Sequence, residues 1–492
     1  MKNIYNILKN SCAAVLLLFL SNVADADALQ IVYPKTMNTD ISAASTFIIG
    51  STAPDAKLKI NDIDVKVHDN GSFVQVVTLS DGKNEIKIDS QDTQNHDTVT
   101  YIINRVPPKI SESAQAALEE FAPDEFIYAT VLNNNTPLRA QPDEYAKRLT
   151  HLDKNTVLMI NGKKGDYYRV SLSPAENAWV KADCVIKYST INQKMLASAS
   201  RVSLSEDRLY NYIKTDLSFQ IPFKIVETDN GLTMELYNIE KNAADTLLFE
   251  TTGDVKSLTV NSVSPDKTST YYIELKDKLW GYRAYYDDNT LVLKIRKVPD
   301  IDKEKPLKNI TIFLDAGHGG CDAGAIGPTG QKEKDINLDV VKKLKKVLED
   351  EGAKVLLTRE DDTNIPLYDR VKMIQDSDAL ISLSIHANAL ADGADPYVKH
   401  GTSVFYYNRE SIELAKTMRD EIIKKLGTKD DGVGLYSLVM TRPSMPLSVL
   451  IEVAYMIHPE EYKLLLDENF RQKAAESIRD GLTEYLLRSV KP

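Results

Sequence analysis

The fold of the C-terminal part of the chain is decided by the stretch Ile310-Thr-Ile-Phe-Leu-Asp-Ala-Gly-His-Gly-Gly320. It begins with an apolar, β-branched run of the kind found in buried strands. The glycines that follow, from Gly317 to Gly330, allow the backbone to wrap tightly around a bound group. We therefore expect a buried strand that leads directly into a binding loop.

Strand and helix patterns alternate from this stretch to the C-terminus. The sequence predicts further strands at residues 354–358, 379–385, 402–406 and 448–451, and helices at 335–351, 370–375, 411–426, 459–466 and 470–487. Such alternation is typical of an α/β domain with a mostly parallel sheet flanked by helices. We assign this domain to residues 307–488.

Four polar residues fall at one edge of the predicted sheet. His386 and Glu452 directly follow two of the strands, and His318 follows the first strand. Glu333 lies two residues before Asp335, the predicted N-cap of the first helix. Ligands of open α/β sheets bind beyond the carboxyl ends of the strands, so the topology alone favours convergence of these side chains.

The chemistry of these four residues indicates a metal site. A single histidine in a glycine-rich loop is often only a turn residue, but Glu452 sits in an apolar strand, where an unpaired carboxylate costs several kcal/mol. Two imidazoles and one carboxylate form the ligand set of a catalytic zinc site with a position open for water. A second carboxylate serves such a site as proton carrier. The sequence thus predicts a metal-assisted hydrolase.

The region before residue 300 reads as β-rich throughout. We expect three small all-β modules, at residues 27–106, 125–190 and 196–300, because short alternating runs are separated there by turn residues. The run Gly71-Ser-Phe-Val-Gln-Val-Val-Thr-Leu79 with Gly82-Lys-Asn-Glu-Ile86 resembles bacterial immunoglobulin-like repeats. The chain is therefore predicted to be multidomain.

The second module resembles bacterial SH3-like domains of wall-associated proteins. This resemblance rests on the order of its runs, among them Val157-Leu-Met-Ile160 and Gly165-Asp-Tyr-Tyr-Arg-Val170. Tyr167, Tyr168 and Trp179 fit two roles, the lining of a peptide groove or the closing of a small barrel core. In the third module, the stretch Leu279-Trp-Gly-Tyr282 shows a weaker similarity to β domains that precede the catalytic unit of some wall amidases.

The N-terminus and the composition restrict the location and the partners. Residues 1–26 are expected to be a secretory signal peptide, with Lys2 and Lys9 before an apolar core and Ala24-Asp-Ala26 as cleavage site. We therefore expect an exported protein, periplasmic or extracellular and associated with the cell wall, without stable membrane insertion. A net charge of −11 argues against a nucleic-acid partner. Apart from Cys12 in the signal peptide, two isolated cysteines, Cys184 and Cys321, make no disulfide framework.

The predicted α/β domain closely resembles the zinc-dependent N-acetylmuramoyl-L-alanine amidases. The resemblance covers residues 307–488 and is carried by a series of motifs in order: Ile312-Phe-Leu-Asp-Ala-Gly-His-Gly-Gly320, Asp322-Ala-Gly-Ala-Ile-Gly327, Glu333-Lys-Asp-Ile-Asn-Leu338, Val355-Leu-Leu-Thr-Arg359, Ile381-Ser-Leu-Ser-Ile-His-Ala-Asn388, Met445-Pro446 and Leu450-Ile-Glu-Val453. Three details depart from the family pattern: Ala454-Tyr455 replaces a Gly-Phe pair, His458 stands where Asn is common, and the loop after His386 is longer.

The resemblance implies a function, a cofactor and roles for the four residues. His318, Glu333 and His386 would bind Zn²⁺, and Glu452 would be the catalytic carboxylate. The substrate would be peptidoglycan, cleaved at the amide between N-acetylmuramic acid and the L-alanine of the stem peptide, in wall remodelling or daughter-cell separation. In some relatives an inserted helix blocks the zinc until a regulatory protein partner removes it. The segment from Leu390 to Lys399 looks too short for that helix, which favours an open site.

Two other functions remain open from the sequence. A zinc peptidase that cuts within the stem peptide would use the same ligands. A wall-binding scaffold with a silent catalytic domain would keep the fold without the chemistry. Arg359 and Arg370 could contact acidic groups of the peptide, although ion pairs between helix and strand are the more ordinary role for them. His400 and His458 read as surface or structural residues.

Overall fold

The computed structural model describes residues 28–108, 116–122, 127–188, 194–244, 248–249 and 253–490. The expected signal peptide, residues 1–26, lies outside this part. The described residues divide into two compact units, one formed by the described parts of Met1–Pro108 and Ile301–Pro492, the other by those of Lys109–Asp300. None of the helices in the described residues is long and apolar enough to cross a bilayer.

The N-terminal part of the first unit consists of two β-sheets. Its strands are β1 (Gln30–Tyr33), β2 (Asn38–Ile41), β3 (Ser45–Ser51), β4 (Lys57–Ile60), β5 (Ile63–Val65), β6 (Ser72–Thr78), β7 (Gly82–Gln91) and β8 (His96–Arg105). One sheet has the order β1-β3-β6 and the other β2-β8-β7-β4-β5. Their apolar faces share one core, which includes Ile48, Phe73, Ile88 and Ile103. We call residues 29–106 the N-terminal β region.

The second unit is also built from strands. One sheet, in the order β12-β11-β15-β14-β13-β10-β16 with β9 paired to β13, uses β9 (Leu118–Glu120), β10 (Ile127–Val131), β11 (Thr136–Arg139), β12 (Arg148–Leu152), β13 (Val157–Lys164), β14 (Tyr167–Ser171), β15 (Asn177–Lys181) and β16 (Val185–Lys187). Tyr167 and Trp179 are buried in this sheet's region, whereas Tyr168 is half-buried. Of the three rings, Tyr168 packs against the apolar core of this sheet, whereas Tyr167 and Trp179 are not part of that core, so the structure gives the core role to Tyr168 alone.

The rest of the second unit forms two five-stranded sheets. Their strands are β17 (Ala197–Glu206), β18 (Tyr210–Leu217), β19 (Phe223–Thr228), β20 (Gly231–Tyr237), β21 (Ile239–Asn242), β22 (Leu248–Phe249), β23 (Val255–Val260), β24 (Thr268–Leu275), β25 (Tyr282–Asp287) and β26 (Thr290–Arg296). The orders are β21-β17-β18-β26-β25 and β19-β20-β24-β23-β22. Alternating apolar residues of both sheets, such as Ile213, Leu236, Leu258 and Leu293, build a common core.

The C-terminal part of the first unit is an α/β domain around a mixed sheet. The strands are β27 (Thr311–Ala316), β28 (Lys354–Leu357), β29 (Ile381–Asn388), β30 (Thr402–Tyr406), β31 (Asp430–Leu435) and β32 (Leu447–Tyr455), in the order β28-β27-β29-β32-β30-β31. Neighbouring strands run parallel except β30, which is antiparallel to β32. The short connection between β29 and β30 reverses the chain without a crossover helix, which explains the antiparallel neighbour.

Five helices flank this sheet: α1 (Glu333–Asp350), α2 (Leu367–Gln375), α3 (Ile412–Leu426), α4 (Pro459–Leu466) and α5 (Glu468–Ser489). The apolar stripe of α1, including Val340, Val341 and Leu344, is buried as its 3.6-residue period requires. The prediction that Asp335 caps this helix was wrong. The helix begins at Glu333, and its N-cap Lys332 makes no side-chain cap.

Two strands that carry site residues are longer than their apolar runs indicated. β29 continues past Ile385 to Asn388, and β32 continues past Ile451 to Tyr455. His386 and Glu452 therefore lie within the ends of paired parallel strands and stand opposite each other in register. The pairing fixes the separation of their two backbones, and both side chains belong to the carboxyl edge of the sheet.

Candidate metal centre

The loop after β27 is held by two buried arginines. The Arg359 guanidinium donates to the carbonyls of Ala316 (2.9 Å) and Gly317 (3.0 Å). Arg370 donates to the carbonyls of Ala316 (2.8 Å) and His318 (2.5 Å) and forms a buried ion pair with Asp315 (2.9 Å). Both arginines thus donate hydrogen bonds to the backbone carbonyls of the loop. Arg370, which lies on a helix, also forms the expected ion pair with a residue of a strand.

His318 has a left-handed backbone, with φ of 62°. A non-glycine residue adopts this conformation at a cost of about 1–3 kcal/mol, and the surrounding structure must compensate for it. The hydrogen bond that Arg370 donates to the carbonyl of His318 contributes to that compensation. The loop is thereby shaped to turn the imidazole back toward the sheet edge.

Three of the four predicted site residues converge there. His318 Nε2 lies 3.2 Å from Glu333 Oε2, and His386 Nδ1 lies 2.9 Å from Glu333 Oε1. The two rings have centroids 5.0 Å apart at 80°. One donor atom from each of the three residues lies within 4.8 Å of the others. The separations of 2.9 and 3.2 Å are ones that a single ion with ligand bonds of about 2.0–2.2 Å can span.

Charge–charge interactions shift the pKa values within this group. Burial opposes the charged form of Glu333, but the two neighbouring imidazoles lower its pKa far below the ordinary range. Burial likewise opposes protonation of His318, yet the carboxylates of Glu333 and Asp322 raise its pKa to about 9. The pKa of His386 is also raised, since Glu333 outweighs the effect of burial. Without an ion, protons therefore occupy the positions between the donors.

Further polar contacts orient the donors. Asp322 Oδ2 lies 2.9 Å from Nδ1 of His318, so this ring donates Nδ1–H to the carboxylate and leaves Nε2 for a ligand. Glu333 accepts from the amide of Asn337 (3.1 Å) and from the backbone N–H of Ala325 (2.8 Å). Sequence reasoning missed Asp322 and Asn337 as supporting residues, although their spacing of four from His318 and Glu333 was visible.

Glu452 is the fourth predicted residue and lies beside this group. Its side chain is buried, and within the described part of the chain Oε2 has no hydrogen-bond partner. Burial raises the pKa of Glu452 to about 7, the nearby charge of His386 lowers it, and that of Glu333 raises it. A buried carboxylate oxygen without a partner requires a cation or a proton, so the set fits a bound metal ion and its water.

Two glycines leave the space in which the donors meet. A Cβ atom on Gly317 would lie 2.2 Å from Cε1 of His386. A Cβ atom on Gly324, whose φ is 66°, would lie 2.5 Å from Oε2 of Glu333 and 2.7 Å from Cδ2 of His318. Any side chain at either position would displace a donor. The glycine-rich stretch is thus a close-fitting cradle for the donor set.

A second group of donors, His400, His458 and Glu461, lies elsewhere in the domain. The two imidazoles stack in parallel, with centroids 4.1 Å apart and planes at 7°. The lone pair of an imidazole nitrogen lies in the plane of its ring. Because these two planes are parallel and stacked, the lone pairs do not point at a common position, which does not favour a shared ion. Glu461 instead accepts from the backbone N–H groups of Tyr455 (2.7 Å) and Gly401 (3.2 Å), a structural role.

Cys321 is exposed, and its sulfur accepts a hydrogen bond from the amide of Asn364 at 3.1 Å. It is absent from the donor group formed by His318, Glu333 and His386. Cys184 belongs to the other unit. Neither thiol therefore contributes to the site as the described residues define it.

An α/β domain that gathers two imidazoles and two carboxylates at one sheet edge has the architecture of a metal-dependent hydrolase. Residues 312–484 match the family model described as N-acetylmuramoyl-L-alanine amidase. The chain belongs to this family of cell-wall peptidoglycan hydrolases, and its C-terminal domain is an amidase domain.

Individual relatives align with the same part of the chain. The amidase LytC of Bacillus subtilis is 35% identical over 186 residues, which are 37% of this chain and 36% of LytC. The germination-specific N-acetylmuramoyl-L-alanine amidase of the same organism is 33% identical over 37% of this chain and 81% of its own length. The catalytic domain of CwlV from Bacillus (Paenibacillus) polymyxa is 34% identical, with a TM-score of 0.34, over 36% of this chain and 98% of that one. The chain thus spans about a third of LytC but most of the shorter relatives.

Proposed function

We propose that this protein is a zinc-dependent amidase that hydrolyses the bond between N-acetylmuramic acid and the L-alanine of the peptidoglycan stem peptide. His318, Glu333 and His386 are the proposed metal ligands, and Glu452 is the proposed catalytic carboxylate. The observation that carries the proposal is the donor group of these three residues beside a buried carboxylate oxygen without a partner. Membership of the amidase family supplies the substrate class.

A zinc ion in this ligand set supplies a Lewis acid that lowers the pKa of water to about 7 and polarises the amide carbonyl. Zinc is favoured over harder ions because imidazole nitrogen is the main donor type, although the same set accepts other divalent transition metals. Asp322 keeps Nε2 of His318 free for the ion, and Asn337 fixes the carboxylate of Glu333.

Glu452 is suited to carry the proton through the reaction. Water attacks the lactyl carbonyl carbon and gives a proton to the carboxylate; the C–N bond then breaks, and the carboxyl group returns that proton to the nitrogen of alanine. The products are the lactyl carboxylic acid and the free amine of the stem peptide, which ionise at neutral pH to a carboxylate and an ammonium group. The buried side chain of Glu452 leaves Oε2 without a partner beside the donor group, so among the described residues this oxygen is available to accept a proton and return it.

The cellular setting is part of the proposal. We place the protein outside the cytoplasm, in the periplasm or at the wall, because its substrate is there and because residues 1–26 read as a signal peptide. The immunoglobulin-like and SH3-like resemblances support wall association of the β modules. A regulatory protein partner fits a hydrolase of this class, whose activity must be restrained.

Zymography on purified cell walls, with and without a chelator, tests the activity. We expect a clearing band that the chelator abolishes and that added Zn²⁺ restores. Mass analysis of the soluble products then separates an amidase from a stem-peptide peptidase, because only an amidase releases intact stem peptides from the glycan. Absence of clearing by the zinc-loaded protein would support the silent scaffold instead.

A further inference from the structure

The N-terminal β region packs against the two strand ends that carry His386 and Glu452. Phe47, Ile49 and Val74 of β3 and β6 share a buried apolar cluster with Tyr455 and Ile457. Tyr455 is three residues beyond Glu452 in β32. Leu390, four residues beyond His386, packs against the same cluster. The contact therefore involves the direct continuations of both site strands.

A polar contact fixes the segment that follows β29. Asp392 accepts hydrogen bonds from the hydroxyl of Tyr33 (2.9 Å) and from that of Thr46 (2.5 Å). Thr46 is completely buried, and burial together with Asp392 raises the pKa of Tyr33 to about 12. Two hydroxyls from the N-terminal β region are thus committed to one carboxylate, six residues after His386. Hydrogen bonds to a charged group are the stronger class.

Other contacts also join the N-terminal β region to the α/β domain. The hydroxyl of Tyr397 donates to the carbonyl of Val74 at 3.3 Å. His68 Nδ1 lies 3.0 Å from Glu460 on α4, and Asp69 pairs with Lys463 of the same helix. The neighbouring Glu461 accepts from the backbone N–H of Tyr455. Apolar, polar and ionic contacts thus all bear on the segments that continue β29 and β32.

We propose that the N-terminal β region is a brace for the active site, with Asp392 as its positioning residue. Through Tyr33 and Thr46 it holds residues 389–399, and thereby the end of β29 from which His386 projects. Displacements of about 1 Å at reacting groups cost on the order of 10²-fold in rate, so support of this kind has a direct effect on turnover. The inference rests on the proposed function for its kinetic consequence, whereas the bracing itself is independent of activity.

The test compares three variants of the full chain with the wild type. Asp392→Ala removes the acceptor, the double variant Tyr33→Phe/Thr46→Val removes both donors with little change in shape, and Tyr101→Phe is the matched control. Tyr101 belongs to the core of the same β region, outside the cluster with Tyr455. Amide hydrogen exchange of residues 389–399 is measured together with kcat, KM and bound zinc per chain.

We expect about tenfold faster exchange of residues 389–399 in both test variants, with exchange in α5 unchanged. We expect kcat to fall about tenfold, with a smaller change in KM and an unchanged zinc content. A further variant that combines Tyr33→Phe, Thr46→Val and Asp392→Ala should behave nearly as Asp392→Ala alone, because the same hydrogen bonds are lost. Tyr101→Phe should match the wild type in every readout.

Unchanged exchange of residues 389–399 in Asp392→Ala would overturn the brace. Faster exchange with wild-type kcat would overturn the positioning role. These outcomes differ from a failure of the proposed function, in which the zinc-loaded wild type does not cleave the muramyl–alanine amide at all. The exchange experiment decides on the brace even then.

Discussion

The backbone of Gly317 lies directly against the imidazole of His386, so close that a Cβ atom there would stand 2.2 Å from Cε1 of the ring. No rotation of a methyl group relieves such an overlap, because Cβ is fixed by the backbone. The ring itself must move, and with it a proposed metal ligand.

Gly317→Ala should therefore lose zinc while keeping the fold. We expect at least about a hundredfold lower activity, since ligand displacement exceeds the effect of losing a supporting contact. Zinc per chain after gel filtration and thermal unfolding are the measurements. Gly330→Ala is the control for steric displacement: a Cβ atom there meets no atom within 4 Å, so this variant should keep its zinc, although its φ of 88° should lower the melting temperature. Full zinc content in Gly317→Ala would contradict the geometry.

Glu452→Gln should retain zinc and fold but lose turnover. The amide has nearly the shape of the carboxylate but does not accept the proton of water, so kcat should fall by about 10²–10⁴. Kinetics on a soluble muropeptide at fixed zinc occupancy measure this effect. His386→Ala serves as the contrast, since it should lose the metal together with activity. Wild-type rates in Glu452→Gln would remove this residue from the mechanism.

Asp322→Asn should weaken metal binding by about 10–100-fold without abolishing it. The carboxylate fixes the tautomer and orientation of His318 from 2.9 Å, and an amide does this less well. Competition with a chromophoric chelator gives the dissociation constant. The matched control is Glu360→Gln, a surface carboxylate that pairs with Lys345 away from the donors. Equal affinities in all three proteins would refute the supporting role of Asp322.

The stability that the neutral forms of His458 and His68 contribute should fall as the pH is lowered below about 6.5. Burial and the stacked His400 lower the pKa of His458, while Glu461 and Glu460 oppose the shift and His68 adds to it. Burial and Lys66 likewise lower the pKa of His68. The unfolded chain takes up protons near pH 6.5 and the folded chain does so at lower pH, so this stability is complete above pH 6.5 and is lost below it.

His458→Asn should reduce that pH dependence. Nδ1 of His458 accepts from the backbone N–H of Glu461 and caps α4, and asparagine is among the best N-cap residues. His458→Ala should lose the cap and about 1 kcal/mol at neutral pH. Melting temperatures of the three proteins from pH 5 to 8 decide the matter. If the melting temperature of His458→Asn falls with pH as steeply as that of the wild type, His458 is not the origin of the pH dependence.

The apolar runs predicted the strands near the site because buried parallel strands have a simple signature. Every residue from Ile312 to Leu314 and from Ile381 to Ile385 is buried, as expected for strands covered on both faces of the sheet, and the apolar composition of these runs indicated this. The continuation of β29 and β32 beyond Ile385 and Ile451 was not predictable in this way. Polar residues such as His386 and Glu452 end an apolar pattern although the backbone remains extended.

Convergence of the four polar residues was predictable from topology, whereas their support was not. Arg359 and Arg370 bind loop carbonyls that carry no sequence signal, and β31 lacks a continuous apolar run. The contact between Tyr33 and Asp392 joins residues 359 positions apart. Local periodicity contains no information on such partners, so the brace required coordinates.

All nine residues of β32 are buried, and Glu452 is flanked by β29 on one side and β30 on the other. Both hydrogen-bonding edges of the strand at Glu452 are therefore occupied by neighbouring strands. In the proposed reaction, the proton that Glu452 accepts from water would therefore be shielded from bulk solvent until the alanine nitrogen receives it.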